Sequence, residues 1–261
     1  AVAAAAALDA APRFRDLTGN IVFPGFTAPK LAWMRTHEPD LFAQVDLVLL
    51  PKDYLRLWLT GEEVGDFSDA AGTSWLDGGS REWSADLLAE TGLTPANMPP
   101  LVHGSAPSGH VRDAVAGELG LPTGVTVAGG GADNAVAACG IGAVRGGQGF
   151  VSLGTSGVLL AAIDQWATSP AQAVHAFCHA VPDAWYQMGV TLSATDSANW
   201  LSGVTGQSVP EMAASVGCDF EMHVNQLVEH TRVPKHTPAT PLAKLVAQRQ
   251  TSGKMLLVEP P

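Results

Sequence analysis

Through the first half of the chain the apolar positions recur mainly at helical intervals. Ala1 to Leu8 holds strong helix formers throughout, and Asp9 to Gly19 breaks that pattern with a proline and a Thr-Gly turn. Leu31, Trp33 and Met34 predict a helix over Pro29 to His37, and a short second helix follows from Pro39 to Val45. The apolar run Val45 to Pro51 reads as a buried strand. Asp53 to Leu59 alternates charge and bulk as an amphipathic helix does, with Gly61 placed to end it. Asp66 to Gly72 is small, polar and turn-rich, Trp83 to Thr91 and Val111 to Leu119 read as helices, and Gly92 to Pro100 is an exit loop.

Further on, short apolar runs punctuated by glycine take over. Val125 to Ala128 reads as a strand that enters Gly129-Gly130-Gly131 and a small-residue helix at Asp133. Gly146-Gly147-Gln148-Gly149 is the best candidate for a domain boundary, dividing the chain into 1–147 and 148–261. Beyond it, strands are expected at Gly149 to Leu153, Val158 to Ala162, His175 to His179 and Trp185 to Leu192, with a helix from Ser193 to Leu201. The pattern weakens after Gly206, and from about Cys218 to Pro261 only Leu242 to Val246 looks helical. Strands alternating with helices over short connections predict an α/β architecture.

Composition narrows the function. With 261 residues and 46% hydrophobic content, the chain can bury a large core or two modest ones. The 14 Lys and Arg against 25 Asp and Glu leave a net charge of −11, and no basic run stands out. Nucleic acid and anionic membranes are poor partners for such a surface. Cys139, Cys178 and Cys218 are too few and too scattered for a disulfide framework, so a reducing cytoplasm is expected and all three are expected to be buried thiols. The alanine run Ala3 to Ala7 lacks both the preceding basic residue and the long apolar segment of a signal peptide, and no stretch approaches the roughly 18 apolar residues that span a bilayer.

Two turns carry the candidate chemistry. Asp133 stands where a strand and a glycine run meet a helix, a place for a carboxylate base or for a helix N-cap. The second turn, Gly154-Thr155-Ser156-Gly157 after Phe150 to Leu153, offers backbone amides to an anion, or is simply a tight hairpin. A dinucleotide fingerprint at Gly129 fails because Asn134 occupies the position of its third glycine. Gly104 to Gly109 has P-loop spacing, but His110 follows where lysine is needed, so it reads as a surface loop. His175, Cys178 and His179 fall short of a four-ligand metal site and read as packed residues, and Cys139 reads as helix core.

Thr18-Gly19-Asn20, Pro24 to Leu31, Leu50 to Arg56, Ser68 to Thr73, the Asp133 turn, Ser152 to Gly157 and His175 to Ala180 together resemble the FGGY carbohydrate kinases, over roughly Ala1 to Gly206. The resemblance implies a ribonuclease H-like, actin-like two-domain ATPase fold, with both domains incomplete. The family's opening Asp-x-Gly-Thr turn and its late Gly-Gly-Gly turn have no counterpart here, and 218–261 is unmatched. It implies a cytoplasmic enzyme that phosphorylates a sugar from Mg2+-ATP. Pro24 to Leu31 and Leu50 to Arg56 favour D-xylulose, giving D-xylulose 5-phosphate. Asp133 is then the general base, Asp133 and Asn134 meet the sugar, and Gly154, Thr155 and Ser156 hold the nucleotide phosphates. Asn134 could equally complete the helix cap. No metal ligand is assigned, because the family's metal contact lies in the opening strand. The alternatives are another FGGY sugar or polyol kinase, a non-catalytic binding or dimerisation module, and a nicotinamide-dependent oxidoreductase; a homodimer is left open.

Overall fold

The computed structural model of the protein describes residues 1–215. Helix α1 (Val2–Asp9) is followed at once by α2 (Pro12–Thr18), where the sequence pattern predicts a break. Pro12 sits in the first turn of α2, where its missing N–H costs nothing, and Gly19 ends the helix at φ 68°. The residues read as helix breakers therefore bound a second helix. α3 (Thr27–His37) and α4 (Pro39–Phe42) fall where helical spacing places them.

Val45 to Pro51 is not a strand. Residues 45–50 run without regular structure, held by Asn97, whose carbonyl accepts from the Val48 amide at 2.9 Å. Val45 and Val48 lean on the core from one side only, and Pro51 opens α5 (Pro51–Thr60), which ends at Gly61 with φ 83°. Strand β1 (Gly65–Asp66) leads into α6 (Phe67–Ala70), capped by the Asp66 carboxylate, which accepts from the amides of Ser68 and Asp69. The short strands β2 (Leu76–Asp77) and β3 (Glu82–Trp83) pair antiparallel before α7 (Ala85–Glu90).

Strand β4 (Leu101–Val102) lies parallel to β1, and β5 (Pro107–His110) pairs antiparallel with β6 (Thr126–Ala128) across α8 (Asp113–Leu119). Helix α9 (Asp133–Ile141) then leads to β7 (Gly149–Leu153), β8 (Gly157–Ile163), β9 (His175–Cys178) and β10 (Trp185–Thr191). These four form one antiparallel sheet in the order β7-β8-β10-β9, close to the strands the sequence predicts. Helices α10 (Thr195–Thr205) and α11 (Val209–Ser215) follow. The expected helix Leu242 to Val246 and the thiol Cys218 lie outside the described residues.

One core gathers Phe14, Trp75, Leu87 and Leu88 between α1, α2, α3 and α7. A second packs α9, through Ala135 and Ala138, with Phe150, Leu160, Phe177 and Tyr186 of the four-stranded sheet. Cys139, four residues after buried Ala135 and at the flank of the face that α9 buries, is exposed, contrary to the core placement expected for it. Cys178 is buried. Asn20 ties the helical part to the sheet: it donates through Nδ2 to Ala176 O at 2.8 Å and accepts at Oδ1 from Ala176 N at 3.0 Å.

Candidate active site

The Asp133 turn begins where β6 stops pairing. Gly129 donates to Ala106 O at 2.8 Å and Gly130 donates to Gly104 O at 2.9 Å, so residues 104–106 line the back of the turn. Gly104 is therefore part of the site's support, with Gly130 O only 2.4 Å from where a Cβ on it would stand, and not the free surface loop its spacing suggests. Gly130 has φ +73°, a conformation that reverses the chain into α9 and that glycine adopts without strain.

Asp133 is the first residue of α9 and not its N-cap; Ala132 holds that place, its carbonyl accepting from Val136 N at 2.9 Å. The carboxylate is thereby released from capping. Its Oδ1 accepts from the Asn134 amide at 2.6 Å and from Asn134 Nδ2 at 3.0 Å, while Oδ2 has no protein donor among the described residues. Asn134 thus orients Asp133 from one side, and Asp133 is exposed with its other oxygen open. Tyr186 lies beneath: burial, and after it the charge of Asp133, holds its phenol well above the usual tyrosine range, so it stays a neutral O–H donor.

Behind the turn lies a group of charges that the motifs marked without assigning them a task. Lys52 reaches Asp66 at 2.5 Å, Asp53 at 2.5 Å and Asp69 at 3.5 Å, and Arg56 donates to Asp53 at 2.8 Å. Burial works against the Lys52 ammonium, but Asp66 and Asp53 outweigh it and the net shift is upward. Burial pushes Asp69 up, with Lys52 offsetting part of that. The Lys52 contact with Asp66 Oδ2 is electrostatic without hydrogen-bond alignment, since that oxygen has no aligned donor. Two members reach the turn itself: Arg56 Nη2 donates to Gly129 O, and Ser68 Oγ accepts from Ala132 N at 3.0 Å.

Gly154 to Ser156 form the tip of the β7–β8 hairpin, opposite the Leu153–Gly157 pair. Gly154 N donates to Ser156 O at 2.9 Å, Gly154 O accepts from Thr195 N at 3.1 Å, and Thr155 O accepts from Ala194 N at 2.7 Å. The carbonyls are thus tied to the start of α10. The amides of Thr155 and Ser156 have no protein acceptor among the described residues and stand on an exposed tip. The turn is a hairpin, and its tip also presents N–H groups without a protein acceptor among the described residues. No hydrogen bond joins Asp133 or Asn134 to this tip; both turns border the core that packs α9 against the sheet.

His175 and His179 are packed residues. His175 stacks on Phe177, and His179 Nδ1 accepts from Val181 N at 3.0 Å while Nε2 faces Ala143 O at 3.2 Å. Burial lowers both imidazoles below their ordinary range. Among the described residues, no group of three or more His, Cys, Asp or Glu side chains is arranged to hold a metal ion. An all-protein metal cage therefore does not fit here; a cation carried mainly by phosphates and water needs no such cage. An open depression of about 490 Å³ includes Phe67, Arg81, Trp83 and His103 and none of the predicted site residues. No described helix is long and apolar enough to cross a membrane.

The strand-to-helix turn presents an open carboxylate and, separately, the sheet hairpin presents amides without a protein acceptor among the described residues. Residues 5–140 match the N-terminal domain of the FGGY family of carbohydrate kinases, and the chain belongs to that family. It is 49% identical over 205 residues to the xylulose kinase of Escherichia coli, a match covering 78% of this chain and 42% of that protein. Over 202 residues it is 50% identical to the xylulose kinase of Klebsiella pneumoniae, covering 77% and 42%. The crystal structure of a xyloylose kinase from Brucella ovis superposes with TM-score 0.79 at 56% identity, covering 83% of this chain and 45% of that one. The fold is accordingly the α/β, ribonuclease H-like and actin-like fold of these kinases. The chain spans less than half the length of these relatives.

Proposed function

We propose that this chain carries the base-bearing part of an ATP-dependent kinase that converts D-xylulose to D-xylulose 5-phosphate. The observation that carries the reading is the Asp133 carboxylate: held at Oδ1 by Asn134, open at Oδ2, and set at the start of α9 without a capping duty. Asp133 takes the proton of the sugar 5-hydroxyl as that oxygen forms its bond to the γ-phosphorus. The bond from the γ-phosphorus to the β–γ bridging oxygen breaks, and ADP leaves with that oxygen. General-base help of this kind is worth about 10²- to 10⁴-fold. Asn134 orients Asp133 and is placed to meet the sugar beside it. The amides of Thr155 and Ser156, with Gly154 allowing close approach, hold the nucleotide phosphates.

Mg2+ would arrive with the triphosphate and neutralise its charge; no residue of this chain is assigned to it. Residues 1–147 are read as the sugar-binding, base-bearing domain and 148–261 as nucleotide domain, supported by the family match that ends at residue 140. D-xylulose is preferred over other sugars because the relatives reported above are xylulose kinases. A cytoplasmic location follows from the substrates, and a homodimer is testable by sedimentation.

The deciding experiment is sugar-dependent ADP release from Mg-ATP, with D-xylulose binding measured in parallel by calorimetry, for this chain and its Asp133→Asn variant. Turnover that disappears in the variant supports the assignment of the base. Undiminished turnover in the variant overturns it. If neither turns over, weaker D-xylulose binding by the variant still supports the sugar site, and equal binding removes Asp133 from it.

A further inference from the structure

We propose that Ser68 is a positioning residue for the base: its hydroxyl pins the turn that presents Asp133. This rests on the reading of Asp133 as the base. Ser68 is 2% exposed, and its hydroxyl bonds in both directions, donating to Asp66 Oδ1 at 2.5 Å and accepting from the Ala132 amide at 3.0 Å. Ala132 is the residue immediately before Asp133 and the N-cap of α9. Its amide is not served by the helix's own ladder, so Ser68 supplies the partner at the point where the chain turns.

The chain of contacts behind Ser68 gives the pin its stiffness. Asp66, 1% exposed, caps α6 and lies against Lys52, which also binds Asp53, the partner of Arg56. Arg56 holds the other end of the same turn by donating to Gly129 O. Three residues of glycine-rich backbone, Gly129 to Gly131, are therefore clamped at both ends by side chains from α5 and α6. Packing leaves no slack: a Cβ on Gly131 would stand 2.8 Å from Ser68 Oγ and 3.0 Å from Ala180 Cβ. A base must sit within a fraction of an ångström of the hydroxyl it deprotonates, and misplacement by about 1 Å costs about 100-fold in rate. Charged residues this deeply buried could merely hold the fold together, and that is the alternative the test must exclude.

Arg56 is unsuitable as the probe, because removing it deletes one of the two cations on buried Asp53 together with the donor to Val64 O, and so tests folding as well. Ser68→Ala removes only the oxygen. In the full chain, amide hydrogen exchange in the peptide spanning residues 129–136 is expected to quicken at least ten-fold more than exchange in β8 and β10, while the thermal midpoint falls by about 3–10 °C because the Ala132 amide and Asp66 each lose a partner. In the ADP-release assay kcat falls about 10- to 100-fold while the KM for ATP stays within two-fold. Gly131→Ala, which drives its new methyl against Ser68 Oγ, reproduces both effects without deleting a hydrogen-bonding group. Unchanged exchange at 129–136 overturns the proposal, as does an equal rise in exchange across the whole sheet, which would mark Ser68 as a general structural residue. Full kcat in Ser68→Ala beside an inactive Asp133→Asn also overturns it. If Asp133→Asn retains activity, the base assignment fails on its own evidence, whatever exchange shows at Ser68.

Discussion

Replacing Asn20 by alanine is predicted to separate the helical part of the molecule from the sheet at a cost that can be worked out bond by bond. Among the described residues strand β9 is the edge of its sheet, and the outward amide and carbonyl of Ala176 face no neighbouring strand. The Asn20 carboxamide takes that neighbour's place, donating to Ala176 O at 2.8 Å and accepting from Ala176 N at 3.0 Å. It also donates to Thr18 O at 2.8 Å and faces His175 Nδ1 at 3.2 Å. Ala176 is 1% exposed and Asn20 2%, so water does not replace these bonds readily. Leaving a buried backbone donor and acceptor without partners costs about 1–3 kcal/mol each, and some relaxation is available at an edge, so a loss of about 3 kcal/mol is expected. For a domain of this size that lowers the thermal midpoint by about 6–12 °C. Asn20→Asp should be worse at neutral pH, since an oxygen then faces two carbonyl oxygens. Thermal and urea unfolding followed by tryptophan fluorescence measure both. An alanine variant that melts within about 2 °C of the parent would refute the bridging role.

Asp133→Asn should lower sugar-dependent turnover by about 10²- to 10⁴-fold while leaving the unfolding midpoint in place, because the side chain is exposed and caps nothing; equal loss of stability would point to a structural role. Stability should fall as pH drops below about 6.5. His175 and His179 have folded pKa values depressed by burial, so both are neutral in the fold and the unfolded chain takes up protons first. Two such groups give a slope of at most about 2.7 kcal/mol per pH unit, and unfolding curves at pH 7.5, 6.5 and 5.5 that showed rising stability would contradict it. Of the two described thiols, Cys139 should react with a disulfide reagent in the native state, slowed by a pKa that partial burial raises, and Cys178 should not. Burial holds the Cys178 thiol at about 12, and its labelling without unfolding would show that the sheet is looser than described.

The four strands of the sheet, the helix ended by Gly61 and the two glycine turns were legible in sequence because their causes are local. An alternating or short apolar run, a left-handed glycine after a helix and a glycine run after a strand impose the same geometry in most contexts. Pro12 and Gly19 were misread because the same residues that break a helix in its middle start and stop one at its ends, and only the neighbouring helix decides which applies. Val45 to Pro51 has strand composition but finds no ladder partner among the described residues, and Cys139 has core composition but falls at the exposed flank of α9. A strand needs a second strand, and a helix face is chosen by what packs on it.

The positions of the Asp133 turn and of the Gly154 to Ser156 turn were legible in sequence alone, while the roles proposed for them rest on the family resemblance. Tertiary structure decided what surrounds them: that Ala132 and not Asp133 caps α9, that Gly104 backs the turn, and that Ser68 and Arg56 clamp its two ends from α6 and α5. Such contacts join residues 64 and 73 positions apart. No local pattern encodes a pairing at that range, because it exists only once the intervening chain has packed and brought the two partners within hydrogen-bond reach.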